Sequence, residues 1–247
     1  MAPDENGREY KEQLEALTDR LVHLHRALYA ERRQALLVVL QARDAAGKDS
    51  LIKKVFGPLD PLDFFVHSFK KPTEDELRQD YLWRVHLRVP PKGAIAIFNR
   101  SHYEDVLPVR VYGLVPREEW ERRYDQINAF ERHLTENRVT LLKFYLDISR
   151  DEQRRQLLER LDDPEKTWKF NPGDLDDRDR WDDFTAAYDE LLRRCSPPWA
   201  PWHVVPGDDR KARNLTVART VVETLERMNP RIPGPDPSIL AHRARLA

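Results

Sequence analysis

The sequence predicts an α/β fold in which a doubly wound parallel β-sheet is flanked by helices. Short apolar runs alternate with segments of helical periodicity along the 247 residues, which is typical of strand–helix–strand units joined by right-handed crossovers. The first run, "ALLVVL", is continuously apolar, as expected for a strand buried on both faces of a parallel sheet. Gly47 and Lys48 follow this strand at the start of a helical segment, where a phosphate-binding loop is expected.

The N-terminal half contains the first three predicted strands. Leucines spaced alternately three and four residues apart predict a helix from about Glu9 to Arg33, whose apolar stripe packs on the core or on a second subunit. Thr73 and Glu76 form a capping box that predicts a helix from Thr73 to Leu87. The strands are predicted at 35–40, 64–69 and 94–98, with a helix over 50–56 between the first two.

The C-terminal half continues this alternation. Its predicted elements are a helix over 117–134, a strand over 140–148, a charged helix from Ser149 to about Leu161, a helix from about Asp176 to Arg193, a strand over 202–206 and a helix over 212–228. Because no repeat or low-complexity linker divides the chain, we expect one domain over 9–229. The highly charged segment 151–183 is expected to form a mobile lid, and residues 1–8 and 230–247 to form flexible termini.

Composition excludes several classes of protein. Charged residues make up 34% of the chain, with 42 Lys and Arg against 43 Asp and Glu, so the net charge does not indicate nucleic acid or membrane as a partner. The single cysteine, Cys195, excludes an intramolecular disulfide framework. No apolar run approaches the roughly 20 residues of a membrane span, and the polar N-terminus lacks the apolar core of a signal peptide. We therefore expect a cytoplasmic protein.

The segment around Gly47 and Lys48 departs from the usual phosphate-loop pattern. Aligned on this pair, the general pattern places its first glycine at Ala42 and its Ser or Thr at Asp49. The context nevertheless favours a phosphate loop, because a buried strand precedes it, small residues fill it and a helix follows, with its N-terminus toward the anion. The alternative is an ordinary strand-to-helix turn with a surface lysine. The predicted phosphate-binding residues are Ala45, Ala46, Gly47, Lys48, Asp49 and Ser50.

A metal site is predicted beside this loop. Asp44 could replace the missing hydroxyl with a carboxylate oxygen, which Mg²⁺ prefers. The segment "FNRSHYED" follows another strand, and parallel strands present their C-terminal ends at one edge of the sheet. Asn99, Arg100, Glu104 and Asp105 are therefore expected near the loop, although each alone could be a helix cap or a surface ion pair. The predicted metal ligands are Asp44, Asn99 and Glu104.

Several motifs together resemble the family 2 polyphosphate kinases. They are "DAAGKDSLIKKV", "SFKKPTEDEL", "DYLWRVH", "FNRSHYEDVLPVRV", "DDPEKTWKFNPGDLDDRDRWDDF" and "APWHVV", in order from about Leu14 to Glu226. "FNRSHYED" and "WKFNPGDL" are more specific than the loop, and are similar to the class III subgroup, which phosphorylates both nucleoside monophosphates and diphosphates. The resemblance implies a phosphate-loop kinase core with a helical lid, and transfer of phosphate from inorganic polyphosphate to AMP and ADP, producing ADP and ATP. It also implies Mg²⁺, with Mn²⁺ as an alternative, and a homodimer or homotetramer.

The resemblance also implies roles for individual residues. Asp44 and Lys48 match the loop residues that handle Mg²⁺ and the transferred phosphate, while Asn99 stands where other subgroups have an aspartate. Ser50 and Leu51 stand where close relatives have Gly-Thr, which leaves Ser50 as the available hydroxyl. The residues matching the polyphosphate path and the lid are Lys70, Arg84, Arg100, Arg155, Arg160 and Lys169. Lys53, from one of several basic pairs, is predicted to join them if those pairs converge.

We therefore expect a reversible, in-line phosphate transfer without a covalent intermediate, driven mainly by positioning and charge neutralisation. The predicted catalytic residues are Asp44, Lys48, Arg100, Asp105 and Arg160, with Asp105 orienting or deprotonating the acceptor. One alternative is an ATP-dependent nucleotide or nucleoside kinase of the phosphate-loop class. A second is a non-catalytic nucleotide-binding module, which would usually contain an Asn-Lys-x-Asp base-recognition loop that is absent here. A third, a structural scaffold, predicts no turnover.

Overall fold

The computed structural model of the chain describes residues 5–246 and contains one five-stranded parallel sheet. The strands are β1 Ala35–Ala42, β2 Phe64–Ser68, β3 Ile95–Asn99, β4 Val139–Asp147 and β5 Trp202–Pro206. Their order across the sheet is β2-β3-β1-β4-β5. At the end of β1, Leu40 lies between Asn99 on one side and Phe144 on the other. The predicted α/β class is confirmed.

Helices cover both faces of this sheet. They are α1 Glu5–Glu31, α2 Lys48–Val55, α3 Glu74–Leu77, α4 Trp83–His86, α5 Pro108–Val111, α6 Arg117–Glu136, α7 Arg150–Asp162, α8 Gly173–Asp179, α9 Trp181–Arg194, α10 Arg210–Met228 and α11 Pro237–Leu240. Short 3₁₀ helices occur at His102–Asp105, Thr167–Lys169 and Ala241–Arg245. Among residues 5–246, no helix has the length and apolarity needed to cross a bilayer.

The central strand shows why the fold has three layers. All eight residues of β1 are buried, and side chains alternate between the two faces of a strand. Leu36, Val38 and Leu40 pack in the layer formed by α1, α2 and α10. Leu37 and Val39 pack in the opposite layer, with α6 and α9. The continuous apolar run therefore reflects burial on both faces.

The leucine stripe of α1 is used inside the chain. Leu21 and Leu28 are 1% and 0% exposed, within the cluster that includes α10. At the edge of this contact, Arg20 donates to the Glu226 carboxylate at 2.8 Å. The stripe is therefore not available as a contact surface for a second subunit, and the homodimer or homotetramer stays a prediction.

The chain termini differ in part from expectation. Helix α1 begins at Glu5, so the boundary expected at Glu9 is four residues too late. At the other end, residues 231–240 are exposed, and 237–245 form the two short helices. Residues 1–4 and 247 belong to the predicted flexible termini and lie outside the described residues.

Two predicted helices are each divided. The capping box at Thr73 and Glu76 is confirmed, with N–H···O distances of 3.2 and 3.0 Å, but α3 ends after one turn. The Asp80 carboxylate accepts from the Leu82 N–H at 3.0 Å, and such a local side-chain bond competes with helix continuation. The single helix predicted from Thr73 to Leu87 is therefore wrong. The helix predicted from Asp176 to Arg193 is also two helices, which meet at Arg180, where ψ is 29°.

The topology places a crevice at the C-terminal edge of β1 and β3. The chain leaves β1 through α2 on one face of the sheet, whereas it leaves β3 toward α6 on the other face. Because β1 and β3 are neighbours, the two connections diverge and leave a gap between them. In open α/β sheets, ligands bind at such a switch point.

Candidate active site

The loop between β1 and α2 is wound around the amine of its lysine. Ala45 and Gly47 adopt left-handed backbone conformations, with φ of 64° and 81°. Lys48 folds back, so that its Nζ donates to the carbonyls of Ala42 and Arg43 at 3.1 and 3.4 Å. Lys48 is only 9% exposed, and this burial lowers its pKa, opposed by the nearby Asp44 carboxylate. A phosphate oxygen entering the loop would provide a stronger partner than these carbonyls.

Arg213 of α10 supports the loop from behind and is not among the site residues that the sequence predicts. Its Nη1 donates to the Ala46 carbonyl at 2.8 Å, and its Nη2 lies 3.4 Å from the Ser50 hydroxyl. The side chain is 1% exposed. A Cβ atom on Gly47 would lie 2.7 Å from Nη1, so an alanine here would strain the left-handed backbone and displace this guanidinium. The sequence does contain an indication of this burial. Arg213 lies four residues before the apolar Val217, so the two side chains share the buried face of the helix.

Asp44 and Arg100 form an ion pair between the ends of β1 and β3. Arg100 follows β3 with a φ of 62°, and its Nη1 also lies 3.9 Å from Glu104. Burial alone would raise the pKa of Asp44, but Arg100 and Lys48 hold it below its usual value. Burial alone would lower the pKa of Arg100, but Asp44 and Glu104 raise it. Both groups are therefore charged at neutral pH.

Neutral amides complete this cluster. Asn99 donates to the Asp49 carboxylate at 2.7 Å and lies 3.4 Å from the Ser68 hydroxyl. Gln41 donates to the Glu104 carboxylate at 2.9 Å. The Asn99 contacts tie the ends of β3 and β2 to the start of α2, and the Gln41 contact ties the end of β1 to the 3₁₀ helix after β3, so the edge of the sheet is ordered by its own polar groups.

Two cavities meet at the Asp44–Arg100 pair. We call the first, of about 520 Å³, the basic cavity; the loop residues 44–50 form one wall of it. The other cations that line it are Lys70, Arg100, Arg160, Lys166, Lys169 and Arg210. We call the second, of about 270 Å³, the aromatic cavity. It is lined by Arg43, Glu104, Leu107, Pro108, Tyr112, Phe184 and Tyr188, among others. Asp44 and Arg100 line both.

A third cavity, of about 400 Å³, extends the basic cavity along β2. The two share Ser68, Phe69 and Lys70. Arg84 lines this third cavity, where it pairs with Glu76 at 2.8 Å and donates to the Lys70 carbonyl at 2.7 Å. Cations therefore follow one another from the loop to the edge of the sheet.

Most of the predicted site residues converge here, but three do not line any of these cavities. Lys53 is exposed on α2, and Arg155 pairs with Glu152 at 2.6 Å. Asp105 lies 3.1 Å from Arg123, and burial raises its pKa to about 6 despite that arginine. The functional roles of these three stay predictions without support from their positions.

The 151–183 segment contributes a polar wall, of which the sequence predicts only some residues. Arg160 pairs with Asp174 at 2.9 Å and donates to the Lys169 carbonyl at 3.2 Å. Asp177 accepts from the Tyr112 hydroxyl, and burial raises its pKa to about 6, with the adjacent Asp44 acting in the same direction. Asp174 and Asp177 belong to the motif "GDLDDRD", but neither is among the predicted site residues. Acidic helix N-termini are common, so the pattern gave no reason to choose them.

The residues at the junction fit a hard divalent cation. Within residues 5–246, no three His, Cys, Asp or Glu side chains converge into a preformed metal site. Mg²⁺ does not require one, since it usually binds one or two carboxylates together with substrate phosphates and water. Asp44 and Glu104 present carboxylates with 16% and 27% of their side chains exposed. Mg²⁺ and Mn²⁺ remain predictions, which this set of oxygen ligands supports.

Comparison with known proteins agrees with the resemblance. The family model for polyphosphate kinase 2 matches residues 4–233. The AMP/ADP-polyphosphate phosphotransferase of Meiothermus ruber is 52% identical over 225 residues, covering 91% of this chain and 84% of that protein. The ADP-polyphosphate phosphotransferase of Rhodopseudomonas palustris is 41% identical, covering 95% and 85%. The crystal structure of polyphosphate kinase 2 from Arthrobacter aurescens TC1 superposes with a TM-score of 0.93 at 40% identity, covering 97% of this chain and 86% of that one.

Proposed function

Because this chain belongs to the polyphosphate kinase 2 family, we propose that it transfers the terminal phosphate of inorganic polyphosphate to ADP and to AMP, producing ATP and ADP. The observation that supports this proposal is the junction of two unlike cavities at Asp44 and Arg100. One cavity suits a polyanion and the other suits a nucleoside. Relatives with 52% and 41% identity are named for phosphate transfer between polyphosphate and AMP or ADP.

The donor would occupy the basic cavity. A linear polyanion needs successive cations along its path, and the basic and third cavities together provide them from Lys48 to Arg84. The end of the chain would lie in the loop, where Lys48 and the N-terminus of α2 face it. The helix dipole and the loop N–H groups add favourable partial charge there.

The acceptor would occupy the aromatic cavity. Tyr188, which stacks on Tyr145 at 4.3 Å between ring centroids, offers apolar surface to the nucleoside together with Phe184 and Leu107. Binding pockets of this kind combine apolar walls with a few placed polar groups. The acceptor phosphate would then point toward Asp44 and Arg100, where the donor ends.

Transfer would depend on positioning and charge. Lys48 and Arg100 would neutralise charge on the transferred group while it passes in line between two oxygens. Asp44 and Glu104 would hold Mg²⁺, which neutralises phosphate charge when bound. A strong base is unnecessary because the acceptor phosphate is already anionic, so Asp105 has at most an orienting role. Segment 151–183 would act as a lid that brings Arg160 and Lys169 to the donor and excludes water.

The test is a nucleotide assay with purified protein, Mg²⁺ and polyphosphate. We expect ATP from ADP, and ADP followed by ATP from AMP, in preparations free of adenylate kinase. Controls omit polyphosphate, or replace it with ATP as the donor. Phosphorylation of a nucleoside or nucleotide by ATP alone, with none by polyphosphate, would instead establish the ATP-dependent kinase. ADP accumulating from AMP without ATP would show that the chain uses the monophosphate only.

The remaining expectations accompany this function as proposals. They are a single domain over 9–229, a cytoplasmic location and a homodimer or homotetramer. Light scattering on the purified chain measures the oligomeric state directly. A monomer would contradict the expected homodimer or homotetramer.

A further inference from the structure

Glu159 is an acid in a cavity that otherwise suits anions. Outside the phosphate loop, it is the one carboxylate among the residues that line the basic cavity of the described chain. It lies on α7 with 36% of its side chain exposed. A carboxylate in this position repels a polyanion, so its presence calls for a physical explanation.

Three cations from three parts of the chain surround this carboxylate. Lys166, beyond the end of α7, lies at 2.9 Å from it. Arg210, at the start of α10, lies at 3.5 Å, and Arg155, one turn earlier on α7, at 3.7 Å. Lys166 and Arg210 also line the basic cavity. The hydrogen bond from Lys166 lowers the pKa of Glu159, so the group is ionised at neutral pH.

These cations have other contacts that hold them in place. Lys166 also pairs with Asp163 at 2.8 Å, and Arg210 donates to the Gln156 side chain. Arg155 is held by Glu152 at 2.6 Å. Positioning the cations therefore does not require Glu159. Glu159 instead neutralises the charge of these three cations while the basic cavity contains no anion.

We propose that Glu159 is a displaceable substitute for a phosphate group of the donor. It occupies two cations of the basic cavity, Lys166 and Arg210, in the free enzyme and gives them up when polyphosphate enters. The pairs are partly exposed, so each is weak and exchanges readily. Glu159 thereby lowers the affinity for polyphosphate and speeds release of the shortened chain. This inference rests on the proposed function, because it requires polyphosphate in the basic cavity.

The test compares Glu159→Gln with a matched control. Glu159→Gln keeps the shape and removes the charge. Asp163→Asn removes a charge that pairs with the same Lys166 and is equally exposed, at 36%, but Asp163 does not line the basic cavity. The dissociation constant for polyphosphate of defined length is measured without nucleotide, across a salt series, with Mg²⁺ and with chelator. The melting temperature of each preparation is recorded alongside.

Glu159→Gln is expected to lower the dissociation constant by about threefold or more, which corresponds to the energy of one or two partly exposed ion pairs. Affinity should also fall more steeply with salt. More protein cations then neutralise polyphosphate charges, and each of them displaces a counterion from the polyphosphate. Asp163→Asn should lower the constant by clearly less than Glu159→Gln does, because it releases only Lys166 and removes no charge from the cavity wall. If Glu159→Gln proves unstable, Glu159→Asp, which shortens the side chain, should shift the constant in the same direction by less.

The outcomes separate this inference from the proposed function. A wild-type protein that does not bind polyphosphate would refute the function itself. Wild-type binding with unchanged or weaker binding by Glu159→Gln would overturn only the role of Glu159. Weaker binding confined to Mg²⁺ would make Glu159 a metal contact and would also overturn it. Equal tightening in both variants would show a general charge effect, which again contradicts the inference.

Discussion

Gly47→Ala tests the support that Arg213 gives to the phosphate loop. Two costs follow from the structure. The alanine must hold a φ of 81°, and a left-handed conformation costs an L residue about 1–2 kcal/mol. Its Cβ would also lie 2.7 Å from Nη1 of Arg213, so the buried guanidinium has to move. That movement loses a charged hydrogen bond to the Ala46 carbonyl, worth about 1.5–3 kcal/mol. The sum is about 2.5–5 kcal/mol of unfolding free energy.

Gly113→Ala provides the matched control. Gly113 has a similar φ of 60°, but no heavy atom lies within 4 Å of its Cβ position. It should therefore show only the backbone cost of about 1–2 kcal/mol. The difference between the two variants isolates the contact with Arg213, at about 1.5–3 kcal/mol.

Denaturant unfolding followed by tryptophan fluorescence gives both free energies. In parallel, kcat and KM for polyphosphate are measured under conditions in which each variant is folded. We expect Gly47→Ala to reduce kcat/KM at least tenfold, roughly the effect of a small displacement at a reacting centre. Gly113→Ala should retain wild-type kinetics. Equal losses of stability in the two variants, or wild-type kcat/KM in Gly47→Ala, would refute the reasoning.

Three further substitutions test the proposed roles of charged residues. Lys48→Ala should leave a folded protein with turnover reduced on the order of 10²-fold, because a charge aimed at the transferred group is lost; near wild-type turnover would contradict the assignment of this loop. Asp44→Asn should raise the Mg²⁺ concentration that gives half-maximal activity, since an amide is a poorer ligand for a hard cation, and an unchanged Mg²⁺ dependence would move the metal role to Glu104. Arg160→Ala should slow turnover per folded molecule and also lower the melting temperature, because the buried Asp174 loses this partner; a lower melting temperature with an unchanged rate per folded molecule would indicate a purely structural role.

The strands were predictable because strands buried on both faces of a sheet consist mostly of consecutive apolar residues. β1 and β3 are almost entirely apolar, and β4 is apolar over most of its length apart from Lys143, which is typical of strands in the interior of a parallel sheet. The failures fall where a local contact decides the backbone. Asp80 starts a new turn within the predicted 73–87 helix, and no pattern of apolar residues reveals such a bond.

The central ion pair of the site can be predicted from the positions of the strand ends alone. Asp44 and Arg100 come directly after β1 and β3, so parallel pairing is enough to bring them together. Neighbouring acids are harder to assign. Glu104 and Asp105 are adjacent in a 3₁₀ turn, with about three residues per turn, so their side chains diverge. Glu104 lies against Gln41, whereas Asp105 lies against Arg123.

Arg213 shows a different limit. It is more than 160 residues from Gly47 along the chain and approaches the loop only because α10 packs on α2. A charged residue on the buried face of a helix is a signal of an internal partner, but the partner itself is a property of the fold.

Asn99 is a neutral residue in the basic cavity, beside the junction of the two cavities. Around the Asp44–Arg100 junction, Lys48 and Asp49 line the basic cavity and Glu104 lines the aromatic cavity. Asn99→Asp would add a carboxylate where an amide now donates to Asp49 at 2.7 Å. Two like charges about 4 Å apart repel by about 4 kcal/mol at an effective dielectric near 20, and the added charge would also face the phosphates of both substrates.

We therefore expect Asn99→Asp to raise KM for AMP and to increase the Mg²⁺ requirement, because a cation becomes necessary to offset the added charge. Asn99→Ala removes the hydrogen bond without adding charge, and should leave the Mg²⁺ requirement near that of the wild type. The measurement is the KM for AMP at several Mg²⁺ concentrations for all three proteins. If the alanine and aspartate variants behave alike, the hydrogen bond to Asp49 matters and the charge does not. If Asn99→Asp matches the wild type, the two anions must meet elsewhere, and the junction at Asp44 and Arg100 would not be the point of transfer.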